Sequence, residues 1–185
     1  GTELLHLLSD SKVHCRTWLS NQATITKERI MARGQQMIRL DQEPRNPENT
    51  SVQQLPKALE QSQAQVWICS DYGKGCLSPE VLSHVYRLAQ EKQVLVVTDP
   101  KHADWTRYQG THWITPNWKE LCAALGQFSL PKRQQVEAHL HAAAARWNIP
   151  HILVTLSELG MAWYHNGKVH FFESPFLTWD FQYDF

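Results

Sequence analysis

The stretch HWITPNWKELCAALG (112–126) contains a strand pattern that is followed directly by a helix pattern. A β-rich run ends at Thr115-Pro116-Asn117, and a helical pattern begins immediately afterwards and stops at Gly126. Asn117 and Glu120 have the spacing of a capping box, in which each side chain accepts a hydrogen bond from the backbone N–H of the other residue. At the positive end of a helix, the same pair could instead hold water, Mg²⁺ and phosphate. The sequence therefore predicts a strand that turns directly into a helix, and leaves open whether the turn is a cap or a site.

Strand and helix patterns alternate on both sides of this stretch. Apolar strand patterns occur at 65–70, 94–99, 112–115 and 151–155, and helical patterns occur at 79–93, 117–125 and 131–147. Ser78 is the expected N-cap of the helix at 79–93, with Pro79 at its first position. This order predicts an α/β fold with a mostly parallel sheet and helices on both faces, in which the strand at 94–99 is buried on both sides.

Two β-hairpins are predicted outside the alternating region. The segment 24–41 has two extended stretches around Gly34, and Asn166-Gly167 lies between two alternating runs, which is typical of a type I′ turn. The polar, proline-containing segment 42–56 is predicted to be a loop before a short helix near 56–63. Residues 1–17 are predicted to form a short helix that runs into a strand.

Polar side chains follow the predicted strands of the sheet. The clusters are Asp71/Lys74, Asp99/Lys101, Asn117/Glu120 and Thr155/Ser157/Glu158. Because the carboxyl ends of parallel strands meet at one edge, we expect these clusters to lie together. The lysines would supply charge for phosphate, and Asn117 with Glu120 would suit a hydrated Mg²⁺.

Each of these clusters has a simpler interpretation when it is taken alone. Asn117/Glu120 fits a helix cap, Asp99 fits a strand-end turn, and Lys74 fits a solvated loop charge. The sequence contains neither a GxxxxGK[ST] loop nor a GxGxxG loop. The residues by themselves predict an α/β domain with an edge for anionic ligands, and no specific reaction.

Composition limits the classes of function. The 185 residues contain 18 Lys+Arg and 18 Asp+Glu, so no bulk charge favours binding to nucleic acid or to an anionic membrane. No apolar run is long enough to span a membrane, and a cytoplasmic protein with reduced thiols is expected, with Cys69 and Cys122 buried. The ten histidines show no metal-binding spacing.

Four segments together resemble the ribokinase-like (PfkB) carbohydrate kinases. They are TITKERIMARGQQMIRLD (24–41), CSDYGKG (69–75), VVTDPKHADWTRYQGTHWITPNWKEL (96–121) and ILVTLSELGM (152–161). Within that family the sequence is most similar to the heptose 7-phosphate kinases, whose domain is often fused to an adenylyltransferase. The resemblance implies ATP-dependent phosphorylation of D-glycero-β-D-manno-heptose 7-phosphate at O1, towards ADP-heptose for the lipopolysaccharide core.

The resemblance also implies roles for particular residues. ATP would bind at Asn117, Trp118, Lys119, Glu120, Thr155, Ser157 and Gly160, with Glu120 close to Mg²⁺. The hairpin at 24–41 would be a lid whose Lys27 and Arg29 contact the sugar phosphate. Asp71, Lys74, Asp99 and Lys101 would line the cleft between the two ligands.

By the same resemblance, residues 1–185 are the central part of one kinase domain, with an α/β core at 64–173. The N-terminal sugar-binding part and the Gly-Ala-Gly-Asp part, which supplies the general base, are expected to lie outside these residues, the latter beyond Phe185. No catalytic residue is therefore assigned, and the chain alone is expected to be inactive or nearly so. The alternatives are a module that binds nucleotide or sugar phosphate without turnover, and a structural assembly domain. A homodimer is a further expectation, because an unpaired sheet edge favours association.

Overall fold

A computed structural model describes residues 6–8, 15, 25–42 and 55–174. The chain divides into two compact units, Gly1–Gln54 and Leu55–Phe185, and each unit is described here by itself. Most of the segment 1–17 and nearly all of the loop predicted at 42–56 lie outside the described residues.

The described part of the first unit is a β-hairpin, as the sequence predicts. Strand β1 (Thr26–Ala32) pairs antiparallel with β2 (Gln35–Gln42). The connecting residues Arg33 and Gly34 have φ angles of 50° and 79°. Positive φ at both central positions is the requirement of a type I′ turn, whose twist matches that of the paired strands.

The described part of the second unit is an α/β structure. Its helices are α1 (Leu55–Glu60), α2 (Pro79–Lys92), α3 (Trp118–Leu125) and α4 (Arg133–Trp147). Its strands are β3 (Val66–Ser70), β4 (Leu95–Asp99), β5 (Trp113–Ile114), β6 (His151–Thr155), β7 (Met161–His165) and β8 (Lys168–Phe172). Short 3₁₀ turns at Trp105–Tyr108 and Ser157–Leu159 follow β4 and β6.

These six strands form one sheet in their order along the chain, β3-β4-β5-β6-β7-β8. Strands β3 to β6 are parallel, and β7 and β8 are antiparallel additions joined by the predicted turn. Asn166 and Gly167 in that turn have φ angles of 49° and 72°, which confirms the type I′ geometry. The sheet is thus mostly parallel, as predicted.

In the described residues, the helices α2 to α4 pack on one face of the sheet. Parallel strands added in chain order through right-handed crossovers all progress in the same direction, so each connecting helix lies on the same side. The strand residues beneath the helices are buried, among them Val96, Thr98, Ile114 and Ile152. On the opposite face Ile68 is 74% exposed and Leu95 is 48% exposed. Within the described residues, the predictions that helices cover both faces of the sheet and that the strand at 94–99 is buried on both faces are therefore wrong.

The helix signals in the sequence are confirmed. Ser78 Oγ accepts a hydrogen bond from the Val81 N–H at the start of α2, where Pro79 occupies the first turn. Cys69 and Cys122 are buried, as their apolar surroundings predict. Among the described residues, no helix combines the length and the apolar character needed to cross a bilayer.

Candidate functional site

The turn between β5 and α3 is the capping box that the sequence predicts. Asn117 Oδ1 accepts a hydrogen bond from the Glu120 N–H at 2.9 Å, and Glu120 Oε2 accepts one from the Asn117 N–H at 3.0 Å. At the other end of α3, Gly126 adopts the left-handed conformation of a C-cap, with φ of 68°. Asn117 and Glu120 are therefore held at the positive end of a helix that is defined at both termini.

The sheet order brings the predicted polar clusters to one edge. The Asp71 N–H donates to the Asp99 carbonyl at 3.0 Å, which joins the chain after β3 to the end of β4. Asn117 forms a parallel bridge with Thr155, and the Thr155 N–H donates to the Pro116 carbonyl at 3.0 Å. Adjacent strands thus carry the polar groups that the sequence placed at their carboxyl ends.

Lys101, Glu120 and Asp99 form the charged part of this edge. Lys101 Nζ lies 3.5 Å from Glu120 Oε1, the carboxylate oxygen that does not cap α3. Partial burial, together with the negative charge of Glu120, raises the pKa of Asp99 above its usual range. An added positive charge or a divalent cation would relieve the repulsion between the two carboxylates.

A cavity of about 700 Å³ opens beside the capping box. Its wall includes Asn117, Trp118, Lys119, Thr155, Ser157, Glu158 and Gly160, together with Ser129, Leu130, Pro131, Leu156, Met161, Phe172, Glu173 and Ser174. The cavity therefore combines a charged and amide-bearing rim with an apolar wall, which is the usual composition of a site for a small organic ligand. Six of the seven residues assigned to ATP from the resemblance, all except Glu120, line this one cavity.

Gly160 occupies its position for a steric reason. A Cβ at Gly160 would lie 2.0 Å from the Phe172 carbonyl oxygen, and the residue has φ of 90°. Ser157, at the start of the same short turn, also has a positive φ, of 58°. The chain after β6 is therefore folded tightly against the end of β8, and this contact shapes one wall of the cavity.

Trp118 and Lys119 contribute to the cavity in different ways. Trp118 is largely buried, and its Nε1–H donates to the Ser129 carbonyl at 2.7 Å, so the indole fixes the segment after α3. The same ring lies 4.9 Å from the ring of His139 on α4, measured between centroids. Lys119 is exposed and lines the cavity.

Asp71, predicted from the resemblance to face the cleft, is buried and engaged by protein groups. Its Oδ2 accepts a hydrogen bond from the Tyr108 hydroxyl at 2.7 Å, and its Oδ1 accepts one from the Gly73 N–H at 2.7 Å. Arg107 Nη2 lies 3.9 Å from Oδ2. Lys74 lies in the same loop after β3 and is partly exposed.

Sequence reasoning missed the role of Tyr108 and of Arg107. Both lie on the 3₁₀ turn Trp105–Tyr108, and Tyr108 contacts a carboxylate 37 positions earlier in the chain. Neither spacing nor periodicity relates residues so far apart. The apolar wall of the cavity, from Leu130 to Phe172, was missed for the same reason.

Lys27 and Arg29 lie on β1 of the hairpin, in the other unit of the chain. Both are exposed, and the pairing places them opposite Asp41 and Arg39 respectively. Because side chains alternate between the faces of a strand, Lys27, Arg29 and Arg39 share one face of the hairpin. That face carries a net positive charge.

The edge fits a magnesium ion that reaches the protein through a carboxylate and keeps most of its water. Glu120 presents one oxygen beyond its capping bond, and Mg²⁺ in nucleotide sites typically takes one or two carboxylates plus phosphate oxygens. The described residues contain no group of three His, Cys, Asp or Glu side chains arranged to enclose a metal ion. A cage made only of protein ligands therefore does not fit the described edge.

The chain is similar in sequence to bifunctional HldE proteins of several bacteria. The chain is 36% identical over 167 residues to the bifunctional protein HldE of Vibrio cholerae serotype O1, covering 89% of this chain and 34% of that protein. It is 40% identical over 148 residues to the bifunctional protein HldE of Granulibacter bethesdensis, covering 76% of this chain and 30% of that protein. The chain therefore spans about a third of the length of these relatives.

Solved structures show the same fold at low sequence identity. Phosphofructokinase-2 from Escherichia coli, in complex with potassium, superposes with a TM-score of 0.76 at 18% identity, over 94% of this chain and 58% of that one. Ribokinase from Giardia lamblia superposes with a TM-score of 0.71 at 15% identity, over 93% of this chain and 54% of that one. The sequence pattern of the pfkB family carbohydrate kinases matches residues 1–178. With this match over nearly its whole length, the chain belongs to the pfkB family of carbohydrate kinases.

Proposed function

We propose that this chain binds Mg²⁺·ATP at the edge formed by Asn117, Glu120 and Lys101, with the nucleoside in the adjoining cavity. The family membership supports ATP-dependent phosphotransfer to a sugar. The observation that carries the assignment to this place is the capping box, whose second carboxylate oxygen faces Lys101 beside a cavity of about 700 Å³.

The residues of this edge have distinct tasks in the proposed site. The positive end of α3 and the ammonium of Lys101 attract phosphate oxygens. The carboxylate of Glu120 would bind Mg²⁺ either directly or through one of the ion's water molecules. The ion, when bound, would neutralise part of the phosphate charge. The apolar wall around Leu130, Met161 and Phe172 receives the base or ribose and excludes water.

We further propose that the phosphoryl acceptor is a heptose 7-phosphate, phosphorylated at O1. The support is the similarity to the two HldE proteins and the resemblance of the four sequence segments to heptose 7-phosphate kinases.

Substitutions of Glu120 separate its capping role from the proposed binding role. Glutamine preserves a capping box because its amide oxygen can accept the same N–H bond, whereas alanine removes it. We expect Glu120→Gln to leave the urea midpoint nearly unchanged and to weaken Mg²⁺·ATP binding at least tenfold, as measured by isothermal titration calorimetry. We expect Glu120→Ala to weaken binding similarly and also to lower the free energy of unfolding by about 1 kcal/mol.

The matched control is Glu137→Gln on α4, a partly exposed carboxylate that lies 3.7 Å from Arg133 Nε and lines no part of the cavity. It should leave both measurements unchanged. Unaltered nucleotide affinity in Glu120→Gln would assign Glu120 to the cap alone. Calorimetric titration with heptose 7-phosphate, compared with fructose 6-phosphate, tests the acceptor, and heptose 7-phosphate should bind more tightly. Saturable nucleotide binding with no binding of either sugar phosphate would support a nucleotide-binding module instead.

A further inference from the structure

A buried hydroxyl connects two of the loops at the site edge. Tyr108 is fully buried on the 3₁₀ turn after β4. Its hydroxyl donates to Asp71 Oδ2 at 2.7 Å and accepts hydrogen bonds from the backbone N–H groups of Lys101 and His102, at 3.2 Å each. One oxygen atom therefore ties the loop after β3 to the loop after β4.

The Asp71 end of this connection is fixed by further contacts. Asp71 is 5% exposed, and its other oxygen accepts the Gly73 N–H. Arg107, which lies 3.9 Å from the carboxylate, also donates to the Leu77 carbonyl, so its guanidinium is held between the two. Burial raises the pKa of Tyr108 to about 12, so the hydroxyl keeps its proton at neutral pH and remains a donor to Asp71.

The Lys101 end of this connection reaches the proposed nucleotide site. The Lys101 backbone N–H donates a hydrogen bond to the Tyr108 hydroxyl, and Lys101 Nζ lies 3.5 Å from Glu120 Oε1. Its side-chain stem passes close to Gly73, where an added Cβ would lie 3.4 Å from Lys101 Cγ. A lysine side chain loses considerable rotamer freedom when it is ordered, so fixing its backbone and stem in advance lowers the cost of presenting the ammonium.

We propose that Tyr108 is a positioning residue, whose hydroxyl holds the Lys101 backbone so that the Lys101 ammonium meets the nucleotide phosphates beside Glu120. The inference rests on the proposed nucleotide site and adds to it a residue that contacts neither nucleotide nor sugar. Tyr108 acts on binding only through Lys101. Loss of the hydroxyl therefore affects the phosphates of the ligand and spares the nucleoside.

The experiment compares two substitutions that each remove one buried tyrosine hydroxyl. Tyr108→Phe removes the proposed positioning group. Tyr86→Phe removes a hydroxyl that lies 3.0 Å from Thr98 Oγ1 in the core between α2 and β4. Binding of Mg²⁺·ATP and of adenosine to the full chain is measured by calorimetry. We expect Tyr108→Phe to weaken Mg²⁺·ATP binding about tenfold, because a Lys101 side chain that is no longer held in place must be ordered on binding, and to leave adenosine binding unchanged. Tyr86→Phe should change neither affinity.

A second comparison tests whether Tyr108 acts through Lys101. In a Lys101→Met background, Tyr108→Phe should cause no further loss of Mg²⁺·ATP affinity, because the group that it positions is absent. A loss that persists in that background, or an equal loss for adenosine, would assign Tyr108 to general stability and overturn the inference. If Tyr108→Phe fails to fold, Asp71→Asn carries the same comparison, since it weakens the bond to the hydroxyl and keeps the side-chain shape.

The same binding measurements distinguish a failure of the positioning role of Tyr108 from a failure of the proposed nucleotide site. A folded wild-type chain that binds neither Mg²⁺·ATP nor adenosine would overturn the nucleotide site and the inference with it. A wild-type chain that binds both, with Tyr108→Phe unchanged towards both, would overturn the positioning role and leave the nucleotide site standing.

Discussion

At the scale of single residues, folding disfavours the charged form of the Asp99 carboxylate. Its carboxylate is partly buried and lies close enough to Glu120 for the two negative charges to repel each other, which raises the pKa of Asp99. The charged form is therefore less favourable in the folded chain than in the unfolded chain. Sites that bind cations often retain such a cost, because the ligand removes it.

This cost predicts the pH dependence of Asp99→Asn. A carboxyl whose pKa is raised by folding contributes stability at low pH, and that contribution is lost as the pH rises through the folded pKa. At pH 7 the wild type no longer has this contribution, so we expect Asp99→Asn to have the higher urea midpoint. The difference should shrink as the pH falls through the folded pKa of Asp99.

Asp104→Asn is the matched control with the opposite sign. Hydrogen bonds from Thr106 lower the pKa of Asp104, so its charged form is favoured by folding. Asp104→Asn should therefore destabilise the chain at pH 7, with a difference that also disappears on acidification. A lower midpoint for Asp99→Asn than for the wild type at pH 7 would contradict the electrostatic explanation.

Local spacing predicted the Asn117–Glu120 cap correctly, because a capping box depends on residues three positions apart. It could not predict that Lys101 faces Glu120, a contact between residues 19 positions apart that depends on the adjacency of β4 and β5. Local spacing also could not predict that Asp71 accepts a hydrogen bond from the Tyr108 hydroxyl. Contacts of the site that cross between loops are set by the sheet order, which no short motif encodes.

At the scale of secondary-structure elements, the tight approach of the chain after β6 to the end of β8 depends on Gly160. Alanine at this position would place a methyl group 2.0 Å from the Phe172 carbonyl oxygen, so the backbone must move. Gly167, in the β7–β8 turn, also has a positive φ, of 72°, but an added Cβ meets nothing within 4 Å. Alanine at Gly160 therefore causes both steric overlap and backbone strain, whereas alanine at Gly167 causes backbone strain alone.

We expect Gly160→Ala to lower the free energy of unfolding by about 1–3 kcal/mol more than Gly167→Ala, in line with the cost of overpacking. Urea unfolding followed by circular dichroism measures the difference. Gly160→Ala should also weaken adenosine binding, since β8 and the turn that precedes Gly160 form part of the cavity wall. Equal destabilisation by both substitutions would mean that the chain relaxes around Gly160 at little cost.

The elements themselves were largely predictable from the sequence. The order of helices and strands between Val66 and Phe172 follows from periodicity, capping residues and turn residues, which are all local signals. The exposure of Leu95 and Ile68 was not predictable, because an apolar run looks the same whether one or both of its faces are covered. The uniform hand of the crossovers, together with the chain-order arrangement of the strands, decides which face the helices cover.

At the scale of the whole α/β unit, ligand binding should be visible as thermal stabilisation. A ligand that binds only the folded state adds about 2.7 kcal/mol at one hundred times its Kd. For a unit of this size, that corresponds to a rise in Tm of about 10 °C, given the usual entropy of unfolding per residue. Differential scanning calorimetry with Mg²⁺·ATP should show this rise. An equal rise with Mg²⁺ alone would indicate a general ionic effect and contradict specific nucleotide binding.

The chain-order arrangement of the sheet also has a consequence for how the unit folds. The strands β3 to β8 are hydrogen-bonded in their order along the chain, so each strand pairs with a strand that is next to it in the sequence. Loop closure costs less entropy for nearby segments, and proteins rich in local pairings fold faster than those that need remote ones. The β6-β7-β8 meander, with the shortest connections, is the natural place for assembly to begin. The sheet edge that is proposed to bind nucleotide would then be completed only as the strands before β6 are added.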